Sequence, residues 1–233
     1  MKRILSKAKQ LVIKSLRLVC PSFLLSQKSF SQDGEDIVLA AFIHTHPNYK
    51  GFYVDIGAHH PYRFSNTAIF YHKGWTGINI EPTPSLLKAF KRYRKRDVNL
   101  NVGISDVNSE LTFYEFNEPA FNSFDRDLSL SRVNSQYRII SEKKIPVSTL
   151  EKILDENLPK NQKIDFFTID VEGFDLNVLK SNNWEKYSAD YILVENKIDI
   201  EDFSRDDIYI LLSGKGYKLI GKTYRTFIYR KTI

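Results

Sequence analysis

The chain of 233 residues contains only one cysteine, Cys20, and this scarcity limits its chemistry. A single thiol cannot form an internal disulfide, and it cannot supply a metal site built from cysteines. The sequence therefore fits a reducing compartment, and we expect a cytoplasmic protein. The length and the 42% content of hydrophobic residues are typical of one large α/β domain, so a second domain is not expected.

Glycine is scarce where a nucleotide-binding turn would need it. The stretch "GFYVDIGAHHPYRFSNTAIF" at 51–70 indicates a buried strand, a glycine turn and a helix. A dinucleotide fingerprint needs three glycines, whereas this turn has only Gly57, and the turn does not match the GxxxxGK[ST] pattern of a phosphate loop either. Asp55, before the glycine, would repel a phosphate group. The turn therefore predicts a cationic ligand without phosphate, such as S-adenosylmethionine, unless Asp55 only caps the turn.

Acidic residues are absent from the first 30 positions, which carry seven lysines and arginines. Because the net charge of the chain is only +6, the other residues are close to neutral, and we expect no nucleic-acid partner. Apolar residues recur at helical spacing, so residues 1–30 are predicted to form a basic amphipathic helix before a domain at 31–233. Lys14 and Arg17 make it too charged to span a bilayer. Residues 1–28 either pack on the domain or a partner, or rest on an anionic membrane surface.

Strands and helices alternate along most of the domain, which indicates a mainly parallel sheet covered by helices on both faces. Strands are predicted at 52–57, 76–81, 98–104, 164–170 and 190–196. Helices are predicted near 65–73, 84–96 and 148–157, from about 174, and around 205–213. The closing "YKLIGKTYRTFIYRK" would add an antiparallel hairpin. This pattern predicts a Rossmann-like class I methyltransferase fold with a seven-stranded sheet.

Two segments depart from this rhythm. The stretch at 110–147 contains extended runs around a polar middle, and we interpret it as an insertion near the mouth of the site. Its aromatic residues either stack on a saccharide or form a small satellite core; they are Phe113, Tyr114, Phe116, Phe121 and Phe124. The basic run "KAFKRYRKR" at 88–96 is interpreted as the solvated face of a helix rather than a phosphate-binding patch.

Carboxylates follow successive predicted strands, and ligands of such sheets bind outside the carboxyl ends of the strands. The residues are Asp55, Glu81, Asp106, Asp170 and Glu195. Glu81 could accept hydrogen bonds from both hydroxyls of a ribose, and Asp106 could accept one from an adenine amino group. Any one of these acids could instead cap a helix or begin a loop. Their joint placement favours a cofactor site.

Five motifs together resemble the FkbM family of S-adenosylmethionine-dependent methyltransferases. They are "SQDGEDIVLA", "FYVDIGAHHPYRFSNT", "GWTGINIEPTP", "GISD" and "IDVEGFDLNVLKS", and the likeness covers about residues 30–200. The resemblance implies that Asp55, Gly57 and Ala58 line the methionine part of the cofactor, Glu81 the ribose and Asp106 the adenine, with Ser105 beside it. It also implies O-methylation of hydroxyls on sugars or natural products.

The transfer of a methyl group to a hydroxyl requires a base that removes the proton, or a metal ion that lowers the hydroxyl pKa. The catalytic candidates are His60, Asp170 and Glu172. His60 is preferred to His59 because Pro61 restricts its backbone to extended conformations. Asp170 and Glu195 end neighbouring predicted strands and could share a divalent cation. Alternatively, the carboxylates only cap the next helix and the histidines only hydrogen-bond the loop.

We therefore expect an enzyme that methylates a hydroxyl of a sugar in a surface glycan or its nucleotide-linked precursor. One alternative is a methyltransferase for a lipid-linked or other small-molecule acceptor. Another is a binding module without turnover that docks on a membrane or on RNA through its basic N-terminus. The sequence does not indicate the oligomeric state.

Overall fold

A computed structural model describes residues 26–43 and 49–232 of the chain. Most of the helix predicted at 1–30 lies outside these ranges, so its packing and its membrane contact stay predictions. Within the described ranges, no helix combines the length and the apolar character needed to cross a membrane.

The described residues contain ten strands in two sheets. They are β1 (Phe52–Ile56), β2 (Thr76–Ile80), β3 (Val98–Leu100), β4 (Gly103–Ile104), β5 (Ser109–Phe116), β6 (Ile139–Ser148), β7 (Ile164–Ile169), β8 (Ala189–Glu195), β9 (Tyr217–Lys222) and β10 (Thr226–Lys231). The large sheet has the order β3-β2-β1-β7-β8-β10-β9, and β10 runs antiparallel to the other six strands. This order confirms the predicted seven-stranded methyltransferase sheet. The strand order reverses between β1 and β7, and a crevice forms at such a point.

Helices cover both faces of the large sheet. They are α1 (Glu35–Phe42), α2 (Ala68–His72), α3 (Pro84–Tyr93), α4 (Arg126–Arg132), α5 (Leu150–Asn157), α6 (Asp175–Lys180) and α7 (Asp207–Gly214), with 3₁₀ turns at Pro119–Phe121 and Phe203–Arg205. Successive strand residues point to opposite faces, so Val54 and Phe167 join a core with α5, α6 and α7. Tyr53 and Phe166 instead join a second core with α1 and α2. Both faces are therefore buried, as the sequence predicted.

The predicted strand at 98–104 is wrong in its extent, because the chain changes sheets at Asn101. The Asn101 side chain donates to the backbone oxygens of Glu81 (2.8 Å) and Pro82 (2.7 Å), which ends the pairing along β3. The next residues form β4 in a three-stranded sheet of order β4-β6-β5. In this small sheet β5 and β6 pair antiparallel, and both derive from the extended runs near 110–147.

The basic run at 88–96 is only partly a solvated helix face. Helix α3 ends at Tyr93, and Lys88, Lys91 and Arg92 are exposed as expected. Arg94 is fully buried, so the interpretation is wrong at this position. The chain leaves the helix there, and the guanidinium group turns into the protein instead of toward solvent.

Candidate active site

A cleft of about 860 Å³, including its solvent-open part, lies at the carboxyl ends of β1, β2 and β7 and extends beneath the small sheet. Six predicted site residues line it: Asp55, Gly57, Ala58, Glu81, Asp170 and Glu172. These residues come from three separate parts of the sequence between 55 and 172, and the parallel strands bring them to one edge of the sheet. The crevice is where open α/β sheets bind their ligands.

Gly57 is required by the close approach of two strands. Its φ is 79°, and a Cβ atom at this position would lie 1.8 Å from the backbone oxygen of Asp170. The amide groups of Gly57 and Ala58 donate to the backbone oxygen of Ile80. The absence of a side chain therefore lets the turn after β1 pack directly on the end of β7.

Strained backbone also concentrates at this cleft. Among the described residues, four non-glycine residues have positive φ: His59, Phe64, Asn161 and Glu172. All except Asn161 line the cleft. Such conformations cost free energy and occur preferentially at functional sites.

Asp55 is buried at the end of β1 and accepts a hydrogen bond from Thr67 Oγ1 at 2.8 Å. Burial raises the pKa of Asp55 to about 6, although the Thr67 bond and the charge of Arg94 oppose the shift. Its carboxyl group thus lies in the cleft with one oxygen fixed by the protein.

Glu81 follows β2 and is held by two backbone amides. Its carboxyl oxygens accept from the amides of Thr83 (2.7 Å) and His59 (2.9 Å). Burial raises the pKa of Glu81 to about 7, and the two amides oppose this shift. The amides fix the orientation of the carboxyl group, and each oxygen retains acceptor capacity for a ligand.

A second group of carboxylates lies at the ends of β7 and β8. Asp170, Glu172 and Glu195 each offer an oxygen within 4.8 Å of the others. Oδ1 of Asp170 is buried and has no hydrogen-bond partner among the described residues. Burial, and then the charges of Glu195 and Glu172, raise the pKa of Asp170 well above its ordinary value. The structure thus brings the predicted pair Asp170 and Glu195 together and adds Glu172.

Two cations already contact this cluster. Lys197 Nζ lies 3.1 Å from Glu195 and 3.8 Å from Glu172, and Arg132 forms a hydrogen-bonded ion pair with Glu172. They offset part of the negative charge, and they leave Oδ1 of Asp170 unpaired.

Ser105, Asp106 and His60 are not among the residues that line the cleft. Ser105 directly follows β4 and is buried. Asp106 is exposed, and hydrogen bonding to Asn177 is the main cause of the lowered pKa of Asp106. Nδ1 of His60 accepts from the amides of Tyr62 (3.1 Å) and Arg63 (3.0 Å). The roles proposed for these three residues from the sequence stay predictions.

Several residues of the cleft had no recognisable signal in the sequence. Asn66 lines it and donates from Nδ2 to Thr168 Oγ1 at 2.9 Å, and Gln32 and Phe64 also border it. None of them belongs to a pattern of strand ends or acid–base groups. Only the "SQDGED" and "RFSNT" motifs, already noted for their family resemblance, mark their neighbourhood.

The strand order is that of a Rossmann-like class I methyltransferase fold, with an acidic cleft at the point where the order reverses. Residues 216–223 match the GxxxxGK[ST] pattern, but they lie on β9 and its ends and not in a loop between a strand and a helix. Residues 55–219 match the family model described as the methyltransferase FkbM domain. The chain belongs to this family and is an S-adenosylmethionine-dependent methyltransferase. A search of curated proteins finds no match to the sequence.

Solved structures with a similar fold include three methyltransferases. Precorrin-6y C5,15-methyltransferase from Geobacter metallireducens is 11% identical with a TM-score of 0.44, over 89% of this chain and 93% of that chain. A TehB-like S-adenosylmethionine-dependent methyltransferase from Corynebacterium glutamicum is 9% identical with a TM-score of 0.41, over 99% of this chain and 100% of that chain. An O-methyltransferase from Bacillus cereus in complex with S-adenosylhomocysteine is 12% identical, with a TM-score of 0.37 and coverages of 93% and 88%.

Proposed function

We propose that the protein transfers a methyl group from S-adenosylmethionine to a hydroxyl of a sugar, in a surface glycan or its nucleotide-linked precursor. The observation that carries this proposal is the buried, unpaired Oδ1 of Asp170 in the cleft. A hydroxyl is a poor nucleophile until a base takes its proton, and an unpaired carboxylate oxygen is suited to that task.

The cofactor supplies an electrophilic methyl group, and the chain's own residues are suited to hold such a cation. Asp55 and Glu81 place carboxyl groups in the cleft near the Gly57 turn, where an ammonium group and ribose hydroxyls need acceptors. Their raised pKa values reflect carboxylates removed from water without a full set of partners. A cationic ligand would favour their ionised forms.

Asp170 is the preferred base, and its neighbours account for this choice. A carboxyl group with a raised pKa holds a proton more strongly than an ordinary aspartate, which makes its ionised form a stronger base. Glu172 would orient the acceptor rather than take the proton, because Arg132 and Lys197 already pair with it.

His60 remains the rival base proposed from the sequence. Its Nδ1 accepts two backbone amides, so the neutral ring carries its proton on Nε2 and has no free nitrogen to take a proton unless these bonds are broken. Burial and the charge of Arg63 also lower the pKa of His60, which makes the ring a weaker base.

Aromatic residues that line the cleft support a sugar acceptor. They are Phe64, Phe113 and Phe124, and Asn122 adds an amide group. Tyr114 and Phe116 do not line the cleft, and like Phe113 they are buried, which favours the satellite-core interpretation for those two residues. Ring faces next to carboxylates and amides suit an acceptor that carries both C–H faces and hydroxyl groups.

A divalent cation at Asp170, Glu172 and Glu195 is the second proposal for activating the hydroxyl. Three carboxylate oxygens within 4.8 Å are hard ligands of the kind Mg²⁺ prefers. Lys197 and Arg132 would have to yield part of their contact with the cluster. A chelator that abolishes turnover, with recovery on addition of Mg²⁺ or Mn²⁺, would support this route.

The acceptor class can be tested with labelled S-adenosylmethionine and three sets of acceptors: nucleotide-sugars, lipid-linked sugars and small-molecule alcohols. Label transfer to a nucleotide-sugar supports the proposal, and transfer confined to another set favours the alternative acceptor. A salt-sensitive affinity for RNA or anionic vesicles without any turnover would favour the binding module instead.

The base is tested by Asp170→Asn and His60→Ala on the acceptor so identified. We expect Asp170→Asn to lower turnover by roughly 100-fold or more while S-adenosylhomocysteine affinity changes little, since general bases contribute about 10² to 10⁴. We expect His60→Ala to retain most of the turnover. The reverse pattern would transfer the role to His60.

A further inference from the structure

Arg94 is the largest charged side chain that the described part of the chain buries completely. It follows α3 and lies in the basic run at 88–96, whose helical lysines and Arg92 face solvent. A buried guanidinium group is costly unless its donors are satisfied. Its contacts therefore show what the protein uses it for.

Most of those contacts are with the loop that connects the turn after β1, at Gly57, to α2. Nε donates to the backbone oxygen of Pro61 at 3.2 Å. Nη2 donates to Ser65 Oγ at 3.1 Å and to Thr67 Oγ1 at 3.0 Å. One side chain thus fixes three points of the segment that runs from the cleft to α2.

The contact with Thr67 continues to the cleft. Arginine has donors and no acceptor, so Thr67 Oγ1 must accept from Arg94 and use its own proton elsewhere. That proton is directed to Oδ2 of Asp55, 2.8 Å away. The charge of Arg94 therefore orients a neutral hydroxyl toward a carboxylate that borders the cleft.

The remaining donor anchors the guanidinium group to the sheet. Nη1 donates to the hydroxyl of Tyr53 at 3.0 Å, and that hydroxyl donates to Asp97 at 2.7 Å. Nη1 also lies 3.7 Å from Asp97 Oδ2. Asp97 takes up part of the charge of Arg94, so Arg94 acts on Asp55 both through the hydroxyl of Thr67 and through its remaining charge.

We propose that Arg94 is a positioning residue for the methyltransferase reaction, which holds Asp55 in its cofactor-binding orientation through Thr67. The inference rests on the proposed role of Asp55 toward S-adenosylmethionine. Arg94 does not itself line the cleft, so its effect on the ligand is indirect: the hydroxyl of Thr67 orients Asp55, and the charge of Arg94 favours the ionised form of Asp55.

The test is calorimetric titration of the full-length protein with S-adenosylhomocysteine. Arg94→Lys keeps the positive charge and loses the planar guanidinium group with its several donors. Thr67→Val removes the hydroxyl that connects Arg94 to Asp55, at nearly constant side-chain volume. We expect each variant to bind roughly 10-fold more weakly or worse, the loss typical of a hydrogen bond to a charged group. The exposed Arg92→Lys is the matched control and should bind like the unaltered protein.

A pH profile separates positioning from a merely structural role. The groups whose charge or hydrogen bond acts on Asp55 are Thr67, Arg94 and Asp97, and Glu81 interacts with it across the cleft. The charge of Arg94 lowers the pKa of Asp55, and the ionised carboxylate is the form expected to bind the cationic ligand. As the pH is lowered, the affinity for S-adenosylhomocysteine should therefore begin to fall at a higher pH in Arg94→Gln than in Arg94→Lys. A merely structural role would leave the two profiles parallel.

The outcomes that would overturn the proposal are distinct. If Asp55→Asn binds S-adenosylhomocysteine normally, the cofactor role of Asp55 fails and the proposal with it. If Asp55→Asn weakens binding while a folded Thr67→Val binds normally, the connection through Thr67 is refuted and the role of Asp55 stands. If Arg94→Gln does not fold, normal binding by Arg94→Lys and Thr67→Val together would refute the proposal.

Discussion

Replacing Glu81 with glutamine should make the stability of the protein less dependent on pH. In the folded chain, burial raises the pKa of Glu81 from 4.5 to about 7. Between these values the folded state keeps a proton that the unfolded state has lost. The contribution of Glu81 to the free energy of unfolding therefore falls as the pH rises from about 4.5 to about 7, and it is constant above that range.

The magnitude follows from the shift. Each unit of pKa difference corresponds to about 1.4 kcal/mol. Between pH 5 and pH 8 the free energy of unfolding of the wild-type protein should therefore fall by about 2 to 3 kcal/mol more than that of the Glu81→Gln variant. The backbone N–H groups of His59 and Thr83 each donate to one carboxyl oxygen of Glu81. In Glu81→Gln one of these N–H groups faces the NH₂ group of the glutamine, which cannot accept its hydrogen bond. This mismatch lowers the variant's stability equally at every pH, so it does not change the slope.

The assay is urea unfolding without cofactor at intervals from pH 5 to pH 8. The difference in unfolding free energy between wild type and Glu81→Gln should shift by about 2 to 3 kcal/mol in favour of the variant as the pH rises. Glu110→Gln, at an exposed position on β5, is the control and should give a constant difference. Parallel pH curves for wild type and Glu81→Gln would refute the reasoning that burial governs this carboxyl group.

Two further predictions concern the turn and the N-terminus. Gly57→Ala should abolish detectable S-adenosylhomocysteine binding in calorimetry. The added Cβ atom would lie 1.8 Å from the backbone oxygen of Asp170, and the φ of 79° disfavours alanine. Gly214→Ala is the control, because a Cβ atom there meets nothing within 4 Å. Removal of residues 1–28 should leave that binding intact, since they precede every residue of the cleft. Vesicle co-sedimentation then separates the two interpretations of the helix: full-length protein that ignores anionic vesicles at low salt, with an insoluble truncated form, would identify a packing element.

Local patterns in the sequence determined the large sheet and its acidic edge. Runs such as "FYVDI" and "IDFFTI" are apolar enough to be buried on both faces, and each is followed by a turn that precedes a helix. In a parallel sheet the ends of such strands must lie at one edge, so Asp55, Glu81 and Asp170 could be assigned to one cleft from the sequence.

Only the tertiary structure decided which of the nearby polar groups line the cleft. The sequence places Asp106 after a single strand at 98–104, whereas the structure divides this stretch between two sheets and leaves Asp106 outside the lining residues, so its contact with the adenine stays a prediction. Pro61 restricts the backbone of His60, but two amides that follow it in the turn hold its ring, and its role as a base stays a prediction.

Arg94 shows why some features follow from the sequence and others only from the tertiary structure. A single basic residue in a basic run carries no local sign that it will be buried, because the cost of burial is offset by partners that come from β1 and from the loop at 61–67. Periodicity and strand ends are local properties that the sequence determines by itself. Which polar groups find each other depends on long-range packing, and this packing decided the burial of Arg94, the orientation of Asp55 and the unpaired oxygen of Asp170.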